Sequence, residues 1–360
     1  ATIACWAMGL TQHRNGVAVI QEVVNLLLMN GHIGKPGAGL CPVRGHSNVQ
    51  GDRTVGIWEA PTEAFLERMQ EGLGFELPTA HGYDVVNAIH AMRNGDVNVF
   101  FCMGGNFVSA TPDTDEVARA IGKVDLTVQV STKLNRSHLI TGKTAIILPC
   151  LGRTELDVQA SGEQFVTVEN SMGQVHRSRG GLAPCSPALR SESWIVAYLA
   201  DQTLGNKHLN WLELANDYDA IRDLMAISLA GFEDYNKRVR QPHGFALPNP
   251  PRDSQSFSTP SKKAHFTTHS LPDIAVKEGQ YVLMTLRSHD QYNTTIYGLH
   301  DRYRGVHGHR RVLFMNAQDM VERGWKTRQQ VNITSHFQGE ERYARDWLVV
   351  PYEIPRGNLA

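Results

Sequence analysis

The sequence has little of what the commoner recognisable chemistries require. Its five cysteines, Cys5, Cys41, Cys102, Cys150 and Cys185, are scattered, and no two form a CxxC pair. That spacing argues against a zinc ribbon or a disulfide scaffold and predicts buried thiols in a reducing compartment. An excess of one charge is also lacking: 35 Lys+Arg stand against 36 Asp+Glu, for a net charge of -1. This balance speaks against a dedicated nucleic-acid or anionic-membrane binder. The most apolar stretch, Val23 to Met29, is interrupted by Asn25 and falls far below the ~20 residues that a membrane span needs. No signal or transit peptide opens the chain, so no membrane span and a cytoplasmic location are expected. HExxH, the nucleophile elbow and SxxK are missing, as are a convincing catalytic triad and a paired-carboxylate site.

What is there is a 360-residue chain, 41% hydrophobic and 20% charged, long enough for roughly two domains with real cores. Its ends read as cut from something longer. Ala1 stands where a start Met would, Ala1 to Cys5 reads as a strand already under way, and the chain stops at Ala360 shortly after a strand at Trp347 to Val350.

Hydrophobic spacing organises the rest. Ile20, Val23, Val24, Leu27 and Leu28 predict a helix from Val17 to Asn30, stopped by Gly31. Residues 31 to 56 carry seven glycines and little periodicity, the pattern of a long functional loop. From residue 83 the pattern is regular: a helix over Tyr83–Asn94, strands at Val97–Met103, Leu126–Val130 and Thr144–Leu148, and a helix from Pro112 or Asp113 to Ile121. Apolar strands alternating with helices predict a parallel sheet buried on both faces, with ligands beyond the carboxyl ends of its strands. Residues 156–190 read as a turn-rich insertion with short strands, followed by a helix at Ser193 to Gly205. Residues 206–275 read as a helical excursion and linker. Short strands from Gly279 onward, with Asn316 capping a short helix, predict a β-barrel-like unit over 276–360, incomplete at its C-terminus. The fold class expected is therefore α/β: an αβα region over 1–205, then that barrel-like unit.

Four polar runs carry chemistry. Met8-Gly9-Leu-Thr11-Gln12-His13 places a glycine turn and polar side chains between a strand and a helix. In Pro42 to Asp52, Arg44 offers a bidentate donor for phosphate or carboxylate, and Asn48 and Gln50 present paired donors and acceptors for a heteroaromatic ring. Gly104-Gly105-Asn106 turns a strand into a helix, where a nucleotide would sit, although it is neither GxGxxG nor a Walker loop. Thr285 to Thr294 leaves an apolar strand and becomes wholly polar, a binding-loop pattern. Arg304, His307, His309, Arg310 and Arg311 read instead as a solvated, basic surface loop.

Three segments, in order, resemble the molybdopterin-dependent oxidoreductase superfamily that contains formate dehydrogenases and dimethyl sulfoxide reductase. Trp6-Ala-Met-Gly-Leu-Thr-Gln12, Asn30-Gly-His-Ile-Gly-Lys-Pro-Gly37 and Pro42-Val-Arg-Gly-His-Ser-Asn-Val-Gln-Gly51 look like the formate dehydrogenase pattern MGxTQ, GNxGxPGxG, PVRGxxNVQG. The wording Val130-Ser-Thr-Lys-Leu-Asn-Arg-Ser-His138 looks closest to the FdhF/YdeP-type formate dehydrogenase-like branch. The resemblance runs on through Cys102 to Asn106, Val128-Gln129, Ile147-Leu-Pro149 and Thr285-x-Arg287. It implies a surface for a bis(molybdopterin guanine dinucleotide) cofactor carrying molybdenum or tungsten, with two-electron redox chemistry on a small-molecule substrate. It also implies that Gly9, Thr11, Gln12, Arg44, Asn48 and Gln50 face pterin rings or the metal. Gly104, Asn106 and Gln129 would grip a guanosine diphosphate, and Arg287, His289, Gln291 and Asn293 would close over a pterin or phosphate. The family's metal-ligating Cys, selenocysteine or Ser, and its cysteine motif for a 4Fe–4S cluster, are expected upstream of Ala1. No metal ligand is assigned within these residues, and this stretch alone is expected to be inactive. The chain departs from the family at Val130-Ser131, where an acidic residue is common, and at Gly142-Lys143, where Ala-Asp is usual. A nucleotide-binding module without redox chemistry, an NAD-type dehydrogenase, and a scaffold using the basic loop at 300–311 are the alternatives.

Overall fold

The chain begins with a βαβ unit. β1 (Ile3–Trp6) and β2 (Gly39–Pro42) pair in parallel, with Cys5 opposite Cys41 and Trp6 opposite Pro42, and α1 (Gly16–Met29) makes the crossover. The computed structural model describes residues 1–360 and divides into two units, Ala1–Ser270 and Leu271–Ala360. The segment 31–56, expected as loop, contains both β2 and a short helix, α2 (Val49–Thr54). Pairing with β1 makes Gly39–Pro42 a strand; its own composition does not announce one.

α3 (Glu63–Leu73) and α4 (Val85–Asn94) follow, each started by a side chain that accepts an N-terminal backbone N–H (Thr62, Asp84) and stopped by a left-handed glycine (Gly74, Gly95). Then come β3 (Val99–Met103), α5 (Phe107–Ala110), α6 (Thr114–Ile121), β4 (Leu126–Ser131) and β5 (Thr144–Pro149), giving a parallel sheet of order β3-β4-β5. A cluster built from Ile89, Met92, Val108, Val117, Ile121 and Val124 forms its core. Burial on both faces holds only for the central strand β4. The edge strand β5 exposes Ile146 and Ile147.

The insertion holds a small hairpin, β6 (Val158–Gln159) with β7 (Gly162–Glu163), and two longer antiparallel strands, β8 (Val166–Glu169) and β9 (Gln174–Ser178). After α7 (Glu192–Leu204), residues 206–255 are more than an excursion. They form α8 (Trp211–Asn216), α9 (Tyr218–Ser228), α10 (Tyr235–Val239), β10 (Phe245–Ala246) and α11 (Pro250–Ser254), and β10 pairs with β9. Leu229, Phe232, Tyr235, Val239, Phe245 and Leu247 join Val175 as a second core. No helix is long and apolar enough to cross a membrane.

The second unit contains β11 (Val282–Leu283), the hairpins β12 (Gln291–Tyr292) with β13 (Thr295–Ile296) and β14 (His300–Asp301) with β15 (Val306–His307), then β16 (Val312–Met315), α12 (Ala317–Glu322), β17 (Gln330–Phe337), β18 (Glu340–Pro351) and β19 (Asn358–Leu359). Five of these strands make a mixed half-barrel sheet of order β11-β19-β16-β18-β17. Asn316 caps α12 as the sequence predicts, accepting from Gln318 N at 2.9 Å. Met315, Met320 and Val349 form the core between α12 and the sheet. The α/β class, a parallel sheet followed by a half-barrel, is the class expected.

The cysteines differ from expectation. Only Cys150 is buried; Cys5 and Cys185 are exposed, and Cys41 and Cys102 lie between.

Replacing Met92, 1% exposed in the first core, by Ala should cost about 2–4 kcal/mol in chemical denaturation. Val17→Ala, at a residue 76% exposed, should stay within about 0.5 kcal/mol.

Candidate functional site

Parallel strands end on the same side, so the loops after β1 and β2 leave together; Val43 N donates to Trp6 O at 2.7 Å and holds the two exits side by side. After β1 the backbone makes a tight 3-10 turn over Met8–Leu10, in which Thr11 N and Gln12 N donate to Met8 O at 3.1 and 2.9 Å. The start of α1 packs onto this turn: a Cβ on Gly16 would lie 2.7 Å from Thr11 O. The Thr11 and Gln12 side chains are exposed, and nothing stands within 4 Å of where a Gly9 Cβ would be.

After β2, Arg44 donates from Nη2 to Gln50 Oε1 at 3.1 Å, so these two predicted residues meet. Asn48 sits in left-handed backbone (φ 66°) at the start of α2, a conformation that Asn tolerates better than most residues. Its side chain is committed on both sides: Oδ1 accepts from Glu169 N at 3.0 Å, and Nδ2 donates to Asp52 Oδ1 at 3.3 Å. A Cβ on Gly51 would fall 2.1 Å from Asn48 Oδ1, so glycine leaves the space this amide occupies. One turn on, Thr54 Oγ1 lies 2.6 Å from Glu169 Oε2 and 3.1 Å from Gln50 O. A hydroxyl has one proton and serves one of those acceptors at a time. Burial pushes the Glu169 carboxyl up, and the Thr54 contact offsets part of that rise. In its protonated form Glu169 can donate to Thr54 while Thr54 donates to Gln50 O.

Arg153, just past β5, donates from Nη1 to Ser47 Oγ and from Nη2 to Ser178 Oγ at 3.1 Å. It thus joins the carboxyl end of the three-stranded sheet to the 42–52 loop. Ser47, Asn48, Arg153, Glu155, Asp157 and Ser178 contribute to the walls of a cavity of about 340 Å³.

At the exit of β3, Gly104 and Gly105 both have positive φ (68° and 77°), which glycine adopts without steric cost. Gly104 N donates to Val130 O at 2.8 Å, and Asn135 Nδ2 donates to Gly105 O at 2.7 Å. Ser137 gathers the rest. Its Oγ donates to Asn106 Oδ1 at 2.8 Å and accepts from Val108 N at 3.0 Å, while its carbonyl accepts from Gln129 Nε2 at 3.1 Å. Gly104, Asn106 and Gln129 are therefore brought together, but Gln129 is buried and its amide faces the Arg136–Leu139 turn.

In the second unit the polar run and the basic loop share one cavity of about 460 Å³, lined by Arg287, Ser288, Gln291, Asp301, Arg304 and Arg310 over an apolar floor. Asp301, 6% exposed, is its hub: Arg304 donates from Nη1 to Oδ2 at 2.6 Å, and His289 Nδ1 lies 3.1 Å from Oδ1. Burial pushes the Asp301 carboxyl up, but Arg304 and His289 together outweigh it and hold the group below the usual carboxylate range. Arg304 also donates to Arg287 O at 3.0 Å, Arg310 donates to Ser288 Oγ at 2.8 Å and to Gln291 Oε1, and Gln291 donates to Asn293 O at 2.6 Å. The solvated-loop reading of 304–311 is thus corrected. Arg304 and Arg310 point inward as partly buried wall residues, whereas His307, His309 and Arg311 are exposed.

Sequence reasoning did not single out Arg153, Glu169, Asn135, Ser137 or Asp301, and it read Arg304 and Arg310 as solvated. Only Asn135 and Ser137 carried a local signal, as polar residues just beyond a buried strand. No three His, Cys, Asp or Glu side chains converge as metal ligands within these residues.

Comparison with known proteins fits this geometry. Residues 1–202 match the family model for molybdopterin oxidoreductase. An uncharacterised oxidoreductase of Mycobacterium tuberculosis is 55% identical over 365 residues, covering 100% of this chain and 47% of that protein. Protein YdeP of Escherichia coli is 49% identical over 335 residues, covering 92% of this chain and 44% of its own length. The chain spans about half the length of the curated relatives it matches. Among solved structures, acetylene hydratase from Pelobacter acetylenicus superposes with a TM-score of 0.50 at 14% identity, covering 86% of this chain and 44% of that one, a likeness of fold.

Glu169 supplies the test. Its raised folded pKa means that wild-type stability falls as pH rises from the ordinary glutamate range through that value. Glu169→Gln removes this loss, so the mutant's melting temperature should rise relative to wild type between pH 4 and pH 8. A difference that does not change with pH would overturn the assignment.

Proposed function

This chain belongs to the molybdopterin oxidoreductase family, and from that premise we propose that it grips a molybdopterin guanine dinucleotide cofactor within a larger formate dehydrogenase-like enzyme. The observation that carries the reading is the arginine-walled cavity of the second unit. Arg287, Arg304 and Arg310 line it, and Asp301 neutralises only part of their charge. Guanidinium groups match the oxygens of a phosphate or pyrophosphate in bidentate geometry, and the apolar floor suits the flat face of a ring.

The donor sets of the first unit fit the same group. Gln50 takes one N–H of Arg44, leaving the remaining guanidinium donors for an anionic ligand. Thr11 and Gln12 present exposed polar side chains beside the open Gly9, and Asn48 and Gln50 are held in place by α2 and by Glu169. In this reading these residues face a pterin. The left-handed Gly104-Gly105 turn and Asn106 receive a guanosine diphosphate, and Gln129 positions that turn from behind through Ser137. Arg287, His289, Gln291 and Asn293 close over a pterin or phosphate. When bound, the cofactor with its molybdenum or tungsten supplies two-electron redox chemistry; the protein binds, orients and tunes it. The relatives are about twice as long. We accordingly place the side chain completing the metal's sphere, and any 4Fe–4S cluster, outside these 360 residues.

Titration of the chain with guanosine diphosphate should show binding that NAD does not match, and inorganic pyrophosphate should bind with an affinity that Arg310→Ala weakens by about tenfold, the value of one charge-assisted hydrogen bond. Preference for NAD would overturn the reading. The 360 residues alone should reduce no dye with formate, and measurable turnover would refute the placement of the metal ligand elsewhere.

A further inference from the structure

We propose that Cys5 and Cys41 form a redox-active dithiol, converted reversibly into a disulfide that ties β1 to β2. The two residues are partners in a parallel strand pair. Adjacent strands lie about 4.8 Å apart, inside the roughly 4.4–6.8 Å separation of α-carbons that a disulfide bridges. Side chains at in-register positions of neighbouring strands project from the same face of the sheet, so the two sulfurs are neighbours without any movement of the backbone. The Cys41 thiol is held above its ordinary range by burial and then by the adjacent Cys5 thiol, as two facing sulfurs require.

Access separates this pair from the other cysteines. Cys5 is exposed and Cys41 partly so. Cys150 is 3% exposed, and burial, aided by Glu192 and Glu155, pushes its thiol up to about 11. Burial also pushes the Cys102 thiol up. Cys185 is exposed but has no cysteine opposite it on a neighbouring strand.

The oxidant is a low-molecular-weight disulfide of the glutathione class. The Cys5 thiolate attacks one of its sulfurs, that S–S bond breaks, and one small thiol leaves. The Cys41 thiolate then attacks the sulfur of Cys5, and the second small thiol leaves. Two protein thiols are oxidised, one small disulfide is reduced to two thiols, and the protons of Cys5 and Cys41 end on the departing thiols. An accessible bridge of this kind belongs to the labile, reducible class rather than the structural one. It also sits one residue before the exits of both strands, so its formation fixes the spacing between the Thr11–Gln12 turn and the Arg44 loop.

The test uses the full 360-residue chain, reduced, desalted and equilibrated with oxidised glutathione, then alkylated and digested without reductant. The expected product is one linked peptide pair containing Cys5 and Cys41, lighter by two hydrogens than the sum of its reduced halves and restored by dithiothreitol. Both residues should lose alkylation one for one, while Cys185 carries glutathione alone. Glutathione on Cys5 with Cys41 still alkylated, a link from either residue to another cysteine, or no reaction at either would overturn the proposal. In Cys5→Ser the linked pair should vanish while the far-ultraviolet circular dichroism stays unchanged; a persisting link from Cys41 would also overturn it.

Discussion

The amide of Asn48 holds the first unit's candidate site in shape. It sits in left-handed backbone, fills the space left by Gly51, and reaches Glu169 N on β8 and Asp52 on α2. Each contact is modest, about 1 kcal/mol net for an ordinary hydrogen bond. Together they decide where α2 starts, and therefore where Gln50 meets Arg44. A larger residue at position 51 displaces the amide, leaving Glu169 N without its acceptor. The Thr54–Glu169 contact braces the other end of the same helix. A six-residue helix is too short to hold itself in water; here β8 holds it.

How much of this was legible follows the range of the interactions. α1 could be read within a residue or so because its apolar spacing is local, and β4 because it is buried on both faces. Asn316 could be read as a cap because capping is local chemistry. β2 could not, since Gly39-Leu-Cys-Pro42 becomes a strand only against β1. The second core was equally hidden: Phe232, Tyr235, Phe245 and Leu247 are spread over a helix, a strand and connecting residues, and gather only in the folded chain. Glu169 stands 115 residues from Thr54, beyond any window of sequence pattern. Arg44 and Gln50 stand out in the sequence as polar motif residues, but their contact with each other and the frame that orients them do not.

The basic loop of the second unit shows the same limit with charge. Arg304, Arg310 and Arg311 are chemically alike in sequence. The fold turns Arg304 towards the buried Asp301, and Arg310 towards Ser288 and Gln291, and leaves Arg311 exposed. A buried carboxylate without a partner would be costly; with Arg304 and His289 against it, Asp301 stays ionised and holds both side chains in place. The remaining positive charge is thereby preorganised, so an anion entering this cavity meets donors already in place and does not have to order them.

The two units carry donors of different physical character. At Gly104-Gly105 the absence of side chains lets a ligand approach the backbone, and left-handed geometry turns the main chain sharply at the strand exit. Such a turn carries no net charge, so contacts to it depend little on salt. The arginine wall acts over a longer distance and accepts variation in where the phosphate oxygens lie, but its attraction is screened by ions.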